Sequence, residues 1–338
     1  MATIYDVCSK AEVSMATVSR VINGNPNVRE KTRLKVKAAM DALGYKPNSI
    51  AQSLASKRSN SVGVLVSELY GPVYGPMMSG IEEELRKAGK HVFIATGHSD
   101  EEREKESIEF LISRNCDALI MHVEAVSDSY LLELQKEQTP IVLLNRNVPE
   151  FPDNCINLNN NYGGYLATKY LLDKGHRDIA YIAGPLWKSD AQDRLEGHKK
   201  ALAQYGIKFN DNLLFEGDFD EESGMNGLQY FIDKKLKFTG LICANDEMAS
   251  GALGKARDQQ ISVPNDLSII GYDDINVAYF LHPKLTTIRY PVEEMGKMAA
   301  KWVIKNVYKK DVNDIKTTFE PQLIIRNSCK QLNKNASN

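Results

Sequence analysis

The chain has 338 residues, too many for one small domain, and its 43% hydrophobic and 25% charged residues exclude a disordered or fibrous polypeptide. The net charge of −2 hides an asymmetry: up to Arg58 there are ten Lys/Arg against four Asp/Glu, a balance of +6, while the remainder holds 32 basic and 40 acidic residues, a balance of −8. A basic head on an acidic body is expected where only the head meets polyphosphate. The opening residues MATIYDVCSK carry charge and no long apolar run, so no signal peptide is expected, and nowhere do eighteen apolar residues run together. The expected location is cytoplasmic, with no membrane contact.

Three short helices follow. The first starts at Thr3, with Asp6 three residues on as a capping box, and puts Ile4, Val7 and Ala11 on one face. Glu12-Val13-Ser14 breaks the pattern, and Ser14 is a natural N-cap for a second helix from Met15 to Asn23. That helix buries Val18, Val21 and Ile22, leaving Met15, Ala16, Thr17, Ser19, Arg20 and Asn23 to point elsewhere; Gly24 and Pro26 stop it. A third helix runs from Glu30 to Leu43, with Val36, Ala39, Met40 and Leu43 at helical spacing. Two short helices, a tight turn and a supporting third make a helix-turn-helix, whose second helix fits the major groove. There Arg20 could bind guanine bidentately, with Ser14, Thr17, Ser19 and Asn23 suited to phosphates or base edges. On spacing alone, a helical bundle with a merely solvated Arg20 is an equal alternative.

The string TIYDVCSKAEVSMATVSRVINGNPNV closely resembles the head of the lactose/galactose-repressor (LacI/GalR) family of transcription regulators, filling nearly every signature position. The resemblance implies that Met15 and Ala16 hold the two variable base-discriminating positions and that Arg20 is the shared base contact. Thr3 and Tyr5 complete the candidate DNA-contacting set in the head. Two residues depart from the pattern. Cys8 replaces the usual alanine, as a small buried thiol. Arg29 stands where relatives place a Ser/Thr cap, which puts the cap of the third helix in doubt.

After Tyr45-Lys46-Pro47, the segment SIAQSLAS reads as one or two turns of helix, too short to be stable alone in water. Its spacing P-N-x-x-A-x-x-L-A resembles the family's hinge. That implies minor-groove contacts from Asn48 and Ala51, with Leu54 wedged between central base pairs and kinking the duplex. The alternative is a polar linker with one exposed leucine.

From Ser61 onward, apolar runs alternate with amphipathic helices. SVGVLVS, HVFIATG, ALIMHV and IVLLN form one set; IAYIAG, GLICAN and LSIIGYDD form another. Continuous hydrophobicity marks strands covered on both faces, hence two parallel α/β sheets with a cleft at the strands' C-terminal ends. Polar residues cluster there: Ser67, Asn145, Asn245-Asp246 and Asp273-Asp274. The segments AGPLWKSDAQDRLEGHKKAL, GLICANDEMASGALGKA and VPNDLSIIGYDDINVAYFLHPKLTTIRYP resemble the same family's effector domain. The resemblance implies that Arg194, Asn245 and Asp273 hydrogen-bond the effector and that Phe219 packs on its ring face. It also implies first-lobe contacts from Ser67 and Asn145, and a cleft-closing role for Tyr74. An Arg fork, an Asn amide and an Asp carboxylate suit a sugar's vicinal hydroxyls. Each residue has another reading: Asp273 could cap a helix, Arg194 could pair with Glu196 or Asp193, and Phe219 could be core.

The expected fold is an all-α helix-turn-helix head plus an α/β core, a two-lobed periplasmic-binding-protein-like fold with two parallel sheets. The expected boundaries are 1–46 for the head, 47–60 for the hinge helix and linker, 61–330 for the effector-binding and dimerisation core, and 331–338 for a polar tail. The five cysteines (Cys8, Cys116, Cys155, Cys243, Cys329) are odd in number and without C-x-x-C pairing, so neither a disulfide framework nor a zinc site is expected. No nucleophile–base pair, metal spacing or phosphate loop accompanies the acidic pairs, so neither a cofactor nor enzyme activity is expected. His176, before IAYIAG, reads as structural. A transport-type sugar receptor shares the core but would need an export signal and lack the head.

The expected function is a repressor, dimeric because the tail CKQLNKNASN has no leucine heptad. It would bind near-palindromic double-stranded operator DNA under control of a small sugar. VLLNRNVPEF and SDAQDRLEGH resemble the galactose-repressor branch, which implies galactose or a related hexose. The head also resembles the catabolite-control branch, which uses a phosphorylated phosphocarrier protein as co-effector.

Overall fold

The computed structural model describes residues 2–46, 58–136 and 139–332, and the chain divides into two compact units, Met1–Asn60 and Ser61–Asn338. In the first unit three helices form as their caps dictate: α1 (Ile4–Ala11), α2 (Met15–Ile22) and α3 (Glu30–Leu43). Thr3 and Asp6 close the capping box of α1, and Glu12 ends that helix in the left-handed region at φ 48°. The Ser14 hydroxyl accepts from the Thr17 amide, while Asn23 lies just past α2 as its C-cap. Arg29 gives α3 no side-chain cap, and Gly44 ends that helix at φ 58°. Val7, Ala11, Val18, Val21, Val36 and Ala39 make a small core, with Ile4 and Ile22 only half-buried. Cys8 is half-buried rather than enclosed, because it lies at the edge of that core.

The second unit holds two parallel sheets. In the first lobe, β1 (Ser61–Val66), β2 (His91–Thr96), β3 (Ala118–Met121), β4 (Ile141–Leu144), β5 (Cys155–Leu158) and β11 (Thr318–Phe319) lie in the order β11-β5-β4-β3-β1-β2. In the second, β6 (Ile179–Ala183), β7 (Leu214–Glu216), β8 (Gly240–Cys243) and β9 (Ser268–Ile270) lie in the order β7-β6-β8-β9. A two-stranded antiparallel ribbon, β10 (Thr287–Arg289) with β12 (Gln322–Ile324), packs near the second lobe.

Alternate strand residues serve opposite faces. Val62, Val64 and Val66 join a core with α4 (Tyr74–Lys87) and α12 (Val292–Asn306). Leu65, Leu119 and Leu143 face α5 (Glu101–Ser113) and α6 (Asp128–Lys136). In the second lobe α7 (Asn160–Asp173) packs on α8 (Ser189–Gln204), and α9 (Glu221–Asp233) on α10 (Asp246–Asp258). The α7–α8 crossing is backbone-tight: a Cβ on Gly164 would stand 1.9 Å from the Arg194 carbonyl oxygen.

The chain passes between lobes three times, between Leu158 and Asn160, between Tyr290 and Val292, and between Phe319 and Gln322. The short strands β5, β7, β10, β11 and β12 are additions to the expected set. HVFIATG is corrected: β2 is an edge strand that leaves Phe93 and Ile94 exposed, 43% and 45%, rather than covered on both faces.

Candidate ligand cleft and nucleic-acid face

Six of the seven sequence-predicted residues of the core lie just after a strand or at the start of the following helix, and Arg194 lies in the second turn of the helix after β6. A cavity of about 340 Å³ opens there, and all seven line it. Ser67 follows β1 and Asn145 follows β4, the latter in the left-handed region at φ 54°. Tyr74 begins α4 and meets the buried His122 ring edge-on, centroids 5.5 Å apart. Burial, with Glu124 close by, raises the Tyr74 hydroxyl above its ordinary value.

Arg194, on α8, is 3% exposed and is the centre of the second lobe's wall. Its Nε donates to Asn160 Oδ1 at 3.0 Å and its Nη1 to the Ala244 carbonyl at 2.6 Å. The guanidinium lies 3.8 Å over the Tyr272 ring. Its carboxylate neighbours are Asp273 at 3.5 Å and Asp190 at 3.7 Å, not the sequence neighbours Glu196 or Asp193. Glu196 is taken by Lys199 instead. Asn160 donates in turn to Asn145 Oδ1 at 3.0 Å, so an amide relay ties first-lobe Asn145 to second-lobe Arg194 at a crossing strand.

Phe219 is half-buried in the loop after β7, at φ 66°. Its ring lies so close to Gly184 that a Cβ there would fall 2.1 Å from Phe219 Cζ, so only glycine leaves the ring its place. Asn245 caps α10 through its Oδ1 and donates its Nδ2 to the Phe219 carbonyl at 2.7 Å, holding that loop. One donor and one lone pair of the amide stay available to a ligand. Asp273 caps no helix. It bends the chain at φ 106° after β9, is 8% exposed, and its Oδ1 has no hydrogen-bond partner. Burial pushes its carboxyl up to about 7, against the pull of Arg194 and with Asp190 and Glu247 adding to the rise. The Tyr290 hydroxyl and His122 Nδ1 also face this cavity unpartnered. A cleft with an orphaned acceptor, hydroxyl and ring nitrogen is short of hydrogen bonds that a polyhydroxylated ligand can supply.

Sequence reasoning missed Asn160, Tyr272, His122, Tyr290 and the cross-cleft pair Glu124–Lys188, whose ions stand 2.7 Å apart. The signal for Asn160 was the asparagine run directly after CINL. That for the pair was charge in the loops that follow the strands ALIM and IAYIA. His176 proves structural, buried and bonded to Thr239 Oγ1 at 2.9 Å and the Lys330 carbonyl at 3.2 Å. Among the described residues, no group of three or more His, Cys, Asp or Glu is arranged to hold a metal ion, and no helix is long and apolar enough to cross a membrane.

On the head, Met15, Ala16 and Arg20 are exposed on α2, and Arg20 has no hydrogen-bond or ion-pair partner among the described residues. Thr17 shares a 2.9 Å hydrogen bond with Ser14, and Asn23 donates to Ser19 at 3.4 Å, so these polar groups are pre-oriented along one helix. Thr3 and Tyr5 are exposed at the start of α1. Asn48, Ala51 and Leu54 lie outside the described residues.

The family model for bacterial regulatory proteins of the lacI family matches residues 3–48, and that for a periplasmic binding protein-like domain matches residues 168–329. The HTH-type transcriptional regulator GalR of Escherichia coli (strain K12) is 39% identical over 328 residues, 97% of this chain and 96% of the relative. The chain belongs to the lacI family of bacterial regulatory proteins. Catabolite control protein A of Priestia megaterium is 31% identical, over 97% of this chain and 99% of its own. Among solved structures, the lac repressor dimer bound to operator and the anti-inducer ONPF superposes with a TM-score of 0.86. Its identity is 29%, over 97% of this chain and 99% of that one. As a family member the chain is a transcriptional repressor with a helix-turn-helix head and a two-lobed α/β core of parallel sheets.

Proposed function

We propose that this protein represses transcription from a near-palindromic operator and that a small sugar in the core cleft, galactose or a related hexose, sets its affinity for that DNA. The observation that carries the sugar half is the unsatisfied Asp273 Oδ1 in a cavity with Arg194, Asn245, Asn145 and the Phe219 ring. Paired hydroxyls that donate and accept meet that set, and the phenyl face covers the ring's C–H surface. Ser67 and Tyr74 would contact the ligand from the first lobe.

In the head, Arg20 reads a guanine edge while Met15 and Ala16 discriminate neighbouring bases. Thr3, Tyr5, Ser14, Thr17, Ser19 and Asn23 fix register on phosphates. Asn48, Ala51 and Leu54 would contact the minor groove as the hinge. The sugar acts through its different affinity for two lobe arrangements. A coupling of about 1–3 kcal/mol changes operator affinity roughly 5- to 150-fold. The relay Asn145–Asn160–Arg194 crosses between lobes next to the ligand, which suits it to sense lobe rotation.

The working form is a homodimer associating through the core. Exposed Phe93 and Ile94 on edge strand β2, and Tyr279 and Phe280 on the short helix α11 (Asn276–Phe280), support this, because such groups gain from being covered. The reading treats the chain as a cytoplasmic regulator, not an enzyme, that needs no cofactor. Titrating sugars into the protein on a labelled operator duplex tests it: a change in occupancy with one hexose is expected, and none with any sugar refutes it.

A further inference from the structure

The charge inside the cleft bears on which sugar it takes. Seven carboxylates line the cavity against two cations, Lys188 and Arg194. Both cations are already engaged. Lys188 meets Glu124 at 2.7 Å, both side chains being largely buried, and Arg194 stands between Asp273 and Asp190. The remaining four acids, Glu68, Asp218, Asp220 and Glu247, have no cation within ion-pair reach among the described residues. Asp220 is turned to the Ser223 amide as a helix cap, but its charge stays at the rim. Burial drives the Glu247 carboxyl up to about 7, with Glu221, Asp220 and Glu68 adding to the rise and no cation opposing it. Deeper in, Asp273 Oδ1 is buried without a hydrogen bond. A field of one sign in a partly desolvated cleft discriminates strongly between charged ligands, because each interaction is far less screened than at an open surface. A phosphate or carboxylate entering here finds no free cation and several anions, which is selection by repulsion.

We propose that the ligand of this cleft is an amino sugar, a hexose whose hydroxyls meet Arg194, Asn245 and Asp273 and whose protonated amine answers the surplus of carboxylates, and that sugar phosphates and uronates are refused. The proposal rests on the cleft being a sugar site and goes further, to the class of sugar.

Calorimetry on the full chain at pH 7.5, above the values near 7 of Glu247 and Asp273 so that both are mostly ionised, compares galactose and glucose with their 2-amino, 2-acetamido and 6-phosphate forms. One amino sugar is expected to bind at least about 10-fold more tightly than its parent hexose, which is about 1.4 kcal/mol. N-acetylation removes that gain, the 6-phosphate binds at least about 10-fold more weakly than the hexose, and salt narrows the amine's advantage. Glu247→Gln lowers the amino-sugar to hexose affinity ratio by at least about threefold, with the unfolding midpoint measured alongside to show that the fold is intact. A hexose binding as tightly as its amino form, or a phosphate binding better, overturns the proposal and leaves the sugar reading standing. No binding by any of these sugars removes the sugar reading and the proposal with it.

Discussion

Replacing Arg194 with methionine removes a buried cation that holds the second lobe's wall together, while keeping a long apolar side chain against Tyr272. The guanidinium donates to Asn160 and the Ala244 carbonyl and compensates Asp273 and Asp190 from 3.5 and 3.7 Å. Its removal from a site 3% exposed leaves the Ala244 carbonyl unpaired, Asn160 Oδ1 with only the Tyr272 hydroxyl at 3.3 Å, and two carboxylates without a counter-charge. Breaking a buried ion pair from one side costs about 3–5 kcal/mol, most of it from the charge left behind. The loss also depends on pH, with a definite sign. Asp273 in the folded chain has its carboxyl near 7, above the free value of 3.8, so the folded state holds a proton that the unfolded state has released. Its contribution is therefore fully present below the free value and is lost as pH rises through about 7. Without Arg194 that carboxyl rises further, so the variant loses more at high pH. Urea unfolding followed by circular dichroism should show a deficit of about 3–5 kcal/mol at pH 8, smaller at pH 5 by at least about 1 kcal/mol. The double change with Asp273→Asn should recover part of it. A deficit under about 1 kcal/mol, or one independent of pH, would refute this account of the cleft.

Other consequences are more local. Arg20→Ala should weaken operator binding by about 1–3 kcal/mol and relax preference at one base pair, read by binding to a set of single-base operator variants; equal loss on every sequence would make it a phosphate contact. Gly164→Ala should force α7 from α8 and destabilise the core by about 1–3 kcal/mol, since its Cβ would meet the Arg194 carbonyl oxygen; an unchanged unfolding midpoint would contradict the helix crossing described here. Ser14→Ala removes the cap of α2 and should cost about 1 kcal/mol, seen as faster amide exchange at Thr17 and Val18. A ligand that donates to Asp273 favours its ionised form. Binding at pH 7 should then release on the order of half a proton, detected as a buffer-dependent heat, and a heat independent of buffer would remove Asp273 from the contact set.

Much of the head was legible because its information is local. Thr3 and Ser14 as caps, the Glu30 to Leu43 periodicity and the small apolar core follow from neighbours within four residues. The failing cap at Arg29 was readable against the family pattern, which places a Ser/Thr there. In the core, long apolar runs announced β1, β3, β4, β6, β8 and β9. CINL, LFE and TF, by contrast, are too short for any periodic signal, and pair only because longer neighbours offer an edge. That β2 lies at an edge was not readable, since HVFIAT has the composition of a covered strand and only sheet order exposes it. Ser67, Asn145, Asn245 and Asp273 were found because they follow strand ends, while Arg194, Phe219 and Tyr74 came from the resemblance to the family's effector domain. Asn160, Tyr272 and the Glu124–Lys188 pair were not found, because their roles are tertiary: each matters through a partner more than twenty residues distant.

The account stands or falls on the coupling between cleft and head. The most direct measurement uses a duplex that the full chain selects from a random pool, followed by fluorescence anisotropy while hexoses and amino sugars are added at fixed protein concentration. The account predicts that the selected sequence is near-palindromic and that one sugar shifts its dissociation constant roughly 5- to 150-fold, a shift lost in Asp273→Asn. A duplex bound with the same affinity at every sugar concentration would contradict it.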